Sequence, residues 1–407
     1  MTVLVRFALS IGAAALFAGC GGSQSPIAAA PRYDGASAAV ARGFGTVIAM
    51  TKSGNATVLH TFGGGSRDGS NPYAGLTDMN GTLYGTTRRG GTHHRGTVFE
   101  IAASGAETVL HSFGGLGDGE DPFAGLVNVN GTLYGATLRG GAYDYGTVFS
   151  ITPSGAEVVF HSFKGSPHDG AYPAGKLLDV KGTLYGTTKW GGRGHCGAGY
   201  HHRTIFGCGA VFKITPFGKE TLLHSFDGTH GWTPIGDLIN VNGILYGTTA
   251  FGVQGVGCGI VFKISTSGKE STVYNFPPGK EYGDDPEGDL LNINGTLYGT
   301  TEHGGTDNKG TVYAVTTSGA QTVLHNFAGS PDGSYPYAGL INVSGTLYGT
   351  TTTGGASDYG TVFAITTAGG ESVIHSFRRD SGGGHPYAGL LDIKGTLYGT
   401  TFFGGAN

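Results

Sequence analysis

One stretch of this chain gathers residue types that could do chemistry. Between Lys189 and Cys208 lie Trp190, His195, Cys196, Tyr200, His201, His202 and Cys208, and His230 and Trp232 follow in the next loop. These are the chain's only two Trp, so their proximity predicts an aromatic platform on which a sugar ring or a protein side chain could stack. The alternative is that both indoles fold over the loop as its local core. Cys196 and Cys208 bracket the loop, which in an oxidising compartment predicts a disulfide. Zinc held by Cys196, Cys208 and one of His195, His201 or His202 is the rival arrangement. Cys258 then remains as a buried free thiol.

Other candidate groups recur. His60, His111, His161, His224, His325 and His375 share one position of a repeat, with Tyr274 in the seventh copy. They fall on what must be an outer strand, too far apart to converge on one ion, and are expected to pack between repeats. Asp78, Asn128, Asp179, Asn240, Asn292, Asn342 and Asp392 share another position, two residues before a tight turn. Such side chains cap turn backbone, or they could ring a channel with oxygens suited to a hard cation. Asp68, Asp118, Asp169 and Asp332 precede Gly and read as turn formers. Asp284, Asp285 and Glu287 do not recur and are the best candidates for paired-carboxylate glycosidase chemistry. There is no Gly-x-Ser-x-Gly elbow, His-Glu-x-x-His or phosphate-binding loop, so no catalytic residue, metal or cofactor is assigned.

The elements that position these groups follow from the repeat. Gly-Thr-Leu-Tyr-Gly or a close variant places its Tyr at 84, 134, 185, 246, 298, 348 and 398, spaced by 50, 51, 61, 52, 50 and 50 residues. Gly-Thr-Val-Phe and His-Ser-Phe segments, with variants, keep the same rhythm. Four short strands per roughly 50 residues, seven times over, predict an all-β, seven-bladed β-propeller of four-stranded antiparallel blades. In one repeat the strands are 126–129, 132–137, 147–151 and 157–163, the first innermost. The ordered part opens with strands three and four and ends with strands one and two, so N-terminal strands must pair with C-terminal ones to close the ring and remove open edges. Cutting at Phe402 is expected to matter little, and cutting at Leu390 to unfold the domain. The long loops share one face, where Arg89, Arg139, Trp190, Phe251, His303, Thr353 and Phe403 vary from blade to blade.

Composition agrees and excludes some functions. Gly accounts for 80 of 407 residues, which disfavours long helices. Charged residues make up 13 % and the net charge is −4, so there is no basic field for nucleic acid. Beyond residue 20 no apolar run is long enough to span a bilayer.

Two resemblances add to this. The segment Phe17-Ala18-Gly19-Cys20, after Arg6 and an apolar run, resembles the lipobox of bacterial lipoproteins, although Phe17 stands where Leu is usual. It implies a signal peptide over 1–19, lipidation of Cys20 and, with Gly21, an outer-membrane destination. Residues 20–43 then form a flexible tether and 44–407 the propeller. The run Leu-Tyr-Gly-Thr-Thr-x-x-Gly-Gly, then Gly-Thr-Val-Phe, then Leu-His-Ser-Phe, resembles the GloVer tandem repeat of bacterial surface proteins over residues 44–405. That resemblance implies surface location and brings no catalytic residues. The expected function is a monomeric cell-surface binding or scaffold module for a glycan or protein. Its expected site is the long-loop face around Trp190, Tyr200, His201, His202, His230 and Trp232, and it touches the membrane only through its lipid. A carbohydrate-active enzyme and a purely structural surface protein are the alternatives.

Overall fold

The computed structural model describes residues 43–405, apart from 103, 195, 197, 201–202, 206, 253–257, 279 and 379–381. Seven four-stranded antiparallel sheets form a seven-bladed propeller. Blade two is representative: Val127–Val129, Thr132–Gly140, Thr147–Ile151 and Glu157–Ser162 run from inner to outer strand. The seventh blade is shared between the ends of the domain. Its third strand, Thr46–Thr51, pairs antiparallel with its second, Thr396–Thr401, with Thr46 opposite Thr401. Ala56–Thr61 lies outside them and Leu391–Ile393 inside.

Each repeated motif has a mechanical reason. A Cβ on Gly135 would stand 2.6 Å from the ring tip of Phe149, so the Gly of Leu-Tyr-Gly makes room for the Phe of Thr-Val-Phe. Blade seven has Ile48 in place of that Phe, and there the Cβ of a residue at 399 would come no closer than 3.0 Å to any neighbour. The Phe in turn meets the Phe of the preceding blade's fourth strand edge-on: Phe113 and Phe149 lie 5.0 Å apart, Phe163 and Phe212 5.1 Å. These fully buried rings are the core between blades.

The paired Thr divide their labour. Thr86 and Thr300 donate to the carbonyls of Ala124 and Ala338 in the next blade, at 3.2 and 2.9 Å. Thr87 and Thr301 bond within the blade to Thr97 and Thr311, at 2.7 and 2.9 Å. The Asx series caps turns: Asp78, Asn128 and Asp179 each accept the N–H of the Gly three residues on, at 2.8–2.9 Å, as do the other four. One oxygen of each is thereby committed to its own hairpin.

The C-terminal edge departs from expectation. Phe402 is 4 % exposed, packs edge-on against Tyr387 at 5.3 Å, and its carbonyl accepts the Asn71 side-chain amide at 3.1 Å. A cut at Phe402 therefore removes core, not fringe.

Candidate functional site

The chain enters every blade through a strained residue followed by Pro. Asn71, Asp121, Tyr172, Thr233, Asp285, Tyr335 and His385 all have φ between 54° and 60°. This left-handed conformation costs a non-Gly residue about 1–2 kcal/mol, and it is most unusual for β-branched Thr233. The geometry is held from both sides in blade five, where Asp285 donates its N–H to the Cys258 carbonyl and accepts the Glu302 N–H. Because the bend is repeated and the side chain varies, this ring presents five residue types over seven equivalent positions. Strain of this kind, when over-determined by its surroundings, collects at functional sites.

Two residues further on, the chain reaches the propeller axis. Tyr73, Phe123, Ala174, Ile235, Glu287, Tyr337 and Tyr387 occupy one position and line an axial cavity of about 240 Å³. The aromatics close against one another, with Tyr73 at 4.1 Å from Phe123 and 4.8 Å from Tyr387. The Arg88 guanidinium lies over both Tyr73 and Phe123 and is bound to buried Asp121 at 2.6 Å.

A second position deeper in the same cavity breaks the repeat. Four blades carry Gly75, Gly125, Gly339 and Gly389 there, and the three adjacent blades between them carry Lys176, Asp237 and Asp289. Space does not force Gly75 or Gly389, where a Cβ would meet nothing nearer than 3.5 Å, whereas a Cβ at 339 would stand 2.6 Å from the Asp289 carbonyl oxygen. The glycines leave one side of the cavity open, and the other side is charged. The three charged residues interlock across blades. Lys176 N–H donates to Asp237 Oδ1 at 2.5 Å, and Asp237 N–H donates to Asp289 Oδ1 at 2.8 Å. Burial, then the neighbouring Asp289 carboxylate, holds the Asp237 carboxyl well above its ordinary range, with Lys176 pulling the other way. Burial raises Asp289 as well. Both carboxyls are thus pushed toward their protonated forms.

A further charged group sits around Glu287. Burial raises its carboxyl while Lys189 and a hydrogen bond from Tyr337 oppose the rise. Burial and then Glu287 push Glu302 to about 8. Burial lowers Lys189. His303 lies 3.5 Å from Asp285; burial disfavours its charge, but Asp285 and Glu302 outweigh that and lift it to about 8.

The residues singled out from sequence fall differently. Trp190 is 7 % exposed and packs with Leu138, Ala171 and Ala250. Trp232 is half-buried, 5.9 Å from Trp190 and stacked on Phe251 at 4.4 Å. The indoles thus turn much of their surface onto each other and onto the loop. His230 is exposed beside Thr229. Tyr200 closes a strand, Ala198–Tyr200, that pairs with Arg203–Ile205; His201, His202, His195 and Cys20 lie outside the described residues. Cys196 and Cys208 are joined by a disulfide, which removes both thiolates from any zinc donor set. Cys258 is buried and is not a free thiol, contrary to expectation. Of the three carboxylates proposed for glycosidase chemistry, Glu287 reaches the axis, Asp285 belongs to the strained ring, and Asp284 is buried beside it and raised to about 6 by burial and Asp285.

The sequence matches the Gloeobacter/Verrucomicrobia repeat over residues 32–200 and again over 200–407. The chain belongs to that family. No curated protein matches it. Among solved structures, a hypothetical selenium-binding protein from Sulfolobus tokodaii is 8 % identical with a TM-score of 0.52, over 82 % of this chain and 90 % of its own. A puromycin-hydrolysing peptidase of Mycobacterium tuberculosis is 12 % identical, TM-score 0.44, over 74 % and 53 %. PorZ, a surface component of the type IX secretion system of Porphyromonas gingivalis, is 13 % identical, TM-score 0.38, over 72 % and 38 %. At such identities the likeness is one of fold alone.

In this Gloeobacter/Verrucomicrobia repeat propeller the axial groups were the ones missed. The variable column read from sequence, Arg89 to Phe403, lies one residue beyond Arg88, Lys189 and Glu302, which carry the charge. The signal was present: aligning the seven repeats shows Gly replaced by Lys176, Asp237 and Asp289 in consecutive copies.

Proposed function

We propose that this propeller is a cell-surface binding module that seats a small neutral polyol, the size of one sugar ring, in its axial cavity. The observation that carries this reading is the run Lys176, Asp237 and Asp289, three ionisable residues that line the cavity at a position where the other four blades carry Gly. Burying them costs stability, which ligand recognition offsets by matching hydroxyl groups with carboxyl acceptors and an ammonium donor. Tyr and Phe rings at the cavity end supply the apolar surface against which a sugar ring packs. A cavity of about 240 Å³ suits one ring, not a long chain. Surface display through a lipidated Cys20, as a monomer, remains part of the proposal. Calorimetric titration of the full chain with mono- and disaccharides tests it. Binding to at least one sugar, weakened tenfold or more by Asp289→Asn, is expected; no binding across the set, or binding indifferent to Asp237→Asn and Asp289→Asn together, overturns it.

A second reading has its own support. Glu287 and Glu302 are half-buried carboxyls raised above their usual range beside Lys189, the condition for a general acid and its partner. A glycosidase acting at the axis would release product, and Glu287→Gln would stop release while leaving binding intact. Saturable binding without turnover favours the module.

A further inference from the structure

Far from the axis, the outer rim repeats another polar cluster four times. His of strand four, Asp of the following loop and Glu opening strand four of the next blade bring their ligand atoms within 4.8 Å of one another. The sets are His60, Asp68 and Glu107; His111, Asp118 and Glu157; His161, Asp169 and Glu220; and His325, Asp332 and Glu371. His Nε2 lies 3.0 Å from Asp Oδ2 in the second and third sets, and 3.1 Å in the fourth. The Asp is fixed by main chain: Gly114 and Gly119 donate to the two oxygens of Asp118, and Lys164 and Gly170 to those of Asp169. The Glu is not fixed. In all four sets its Oε1 is buried with no hydrogen-bond partner. Among the described residues, none of these eight carboxylates is within ion-pair distance of a Lys or Arg. Two carboxylates crowded in a half-buried pocket call for a cation or a proton.

The other three boundaries lack the complete set, and only Glu270 among them shares the unpartnered Oε1. Where Tyr274 replaces His, Tyr282 stands at the Asp position and Gln321 at the Glu position. Where Gly382 replaces Asp, the Glu position holds Ala56. His224 keeps Glu270 but has His230 in place of Asp. Acid pairs occur only with the complete set.

We propose that the four complete clusters are divalent-metal sites, each binding a first-row cation such as Zn²⁺ through one imidazole and two carboxylates and so clamping neighbouring blades. Imidazole with carboxylate suits Zn²⁺ or Mn²⁺ better than Ca²⁺, which takes oxygen alone. Metal–ligand bonds of about 2.0–2.2 Å place neighbouring ligand atoms roughly 3–3.5 Å apart; the His–Asp separation meets this in three sets, and in the first, at 3.6 Å, it is slightly wider. The Glu side chain, with three rotatable bonds, closes the remaining gap. The site is remote from the axial cavity and does not depend on it.

Equilibrium dialysis of the chelator-treated full chain against Zn²⁺, with elemental analysis, tests the proposal. Four Zn²⁺ per chain are expected in addition to any held elsewhere, falling by one with Glu220→Gln and by two with Glu220→Gln and Glu371→Gln together. Gln321→Ala leaves the count unchanged, and a hundredfold excess of Ca²⁺ does not displace the metal. These Gln variants keep side-chain shape; His161→Gln, checked for native circular dichroism, gives an independent loss of one. A count that does not fall in these variants, or displacement by Ca²⁺, overturns the assignment.

Discussion

The main-chain N–H of Asp237 donates to the carboxylate of Asp289 at 2.8 Å, across the boundary between blades four and five. The link ties the position of one cavity carboxyl to the backbone that carries the next, so the charged wall moves as a unit. It also makes the wall costly, because both carboxyls are half-buried and raised.

Asp237→Asn is therefore expected to stabilise the protein while it abolishes ligand binding. The amide oxygen still accepts from Lys176, and the amide is neutral without binding a proton. An acid whose folded pKa is raised binds a proton in the folded state that the unfolded chain has already lost, so its penalty grows as pH rises. The gain, on the order of 1–2 kcal/mol, should be larger at pH 8 than at pH 5 in urea unfolding. A destabilised variant at pH 8 would count against a strained, function-bearing wall.

Glu302 and His303 set a second pH dependence. The Glu302 carboxyl, raised to about 8, loses stability as pH climbs from its unfolded value near 4.5 through 8. His303, lifted to about 8, contributes fully below about 6.5 and is lost through the same upper limit. Both act in one direction, so thermal stability should fall between pH 6 and pH 9. Glu302→Gln should flatten that fall; an unchanged slope would show that the group titrates normally.

Gly135→Ala forces a methyl within 2.6 Å of Phe149 and should cost about 1–3 kcal/mol by overpacking. Gly399→Ala, where Ile48 replaces the ring and the nearest atom is 3.0 Å away, should cost distinctly less. Chemical denaturation of the two variants side by side checks this reading of the motif.

Phe402→Ala empties a buried site against Tyr73 and Tyr387 and is expected to cost about 3–5 kcal/mol. By contrast, Trp232→Ala should leave sugar affinity within about twofold, because its ring is occupied by Phe251 and Trp190 rather than by the axial cavity. Thermal melts and calorimetry read these effects separately.

The architecture was legible from periodicity because each motif letter has a repeated steric or hydrogen-bonding role, with Gly135 serving Phe149, Thr86 the next blade and Asn128 its own turn. The candidate site was less so. Trp190 and Trp232 drew the eye by rarity, yet rarity does not say which way an indole faces. Lys176 and Asp289 lie more than a hundred residues apart and become neighbours only because consecutive blades bring the same repeat position to the axis. Phe402 shows the converse: it follows the last strand and looks dispensable, but its side chain turns inward onto rings supplied by other blades.

Closure through the seventh blade also bears on biosynthesis. Within the propeller, the inner half of that blade, Leu391 to Thr401, is made after every other strand, and its outer half, Thr46 to Thr61, before them. The ring cannot close before the segment Leu391 to Thr401 has left the ribosome, so until then the emerging chain is an unclosed series of blades with the edge of Thr46–Thr51 unpaired.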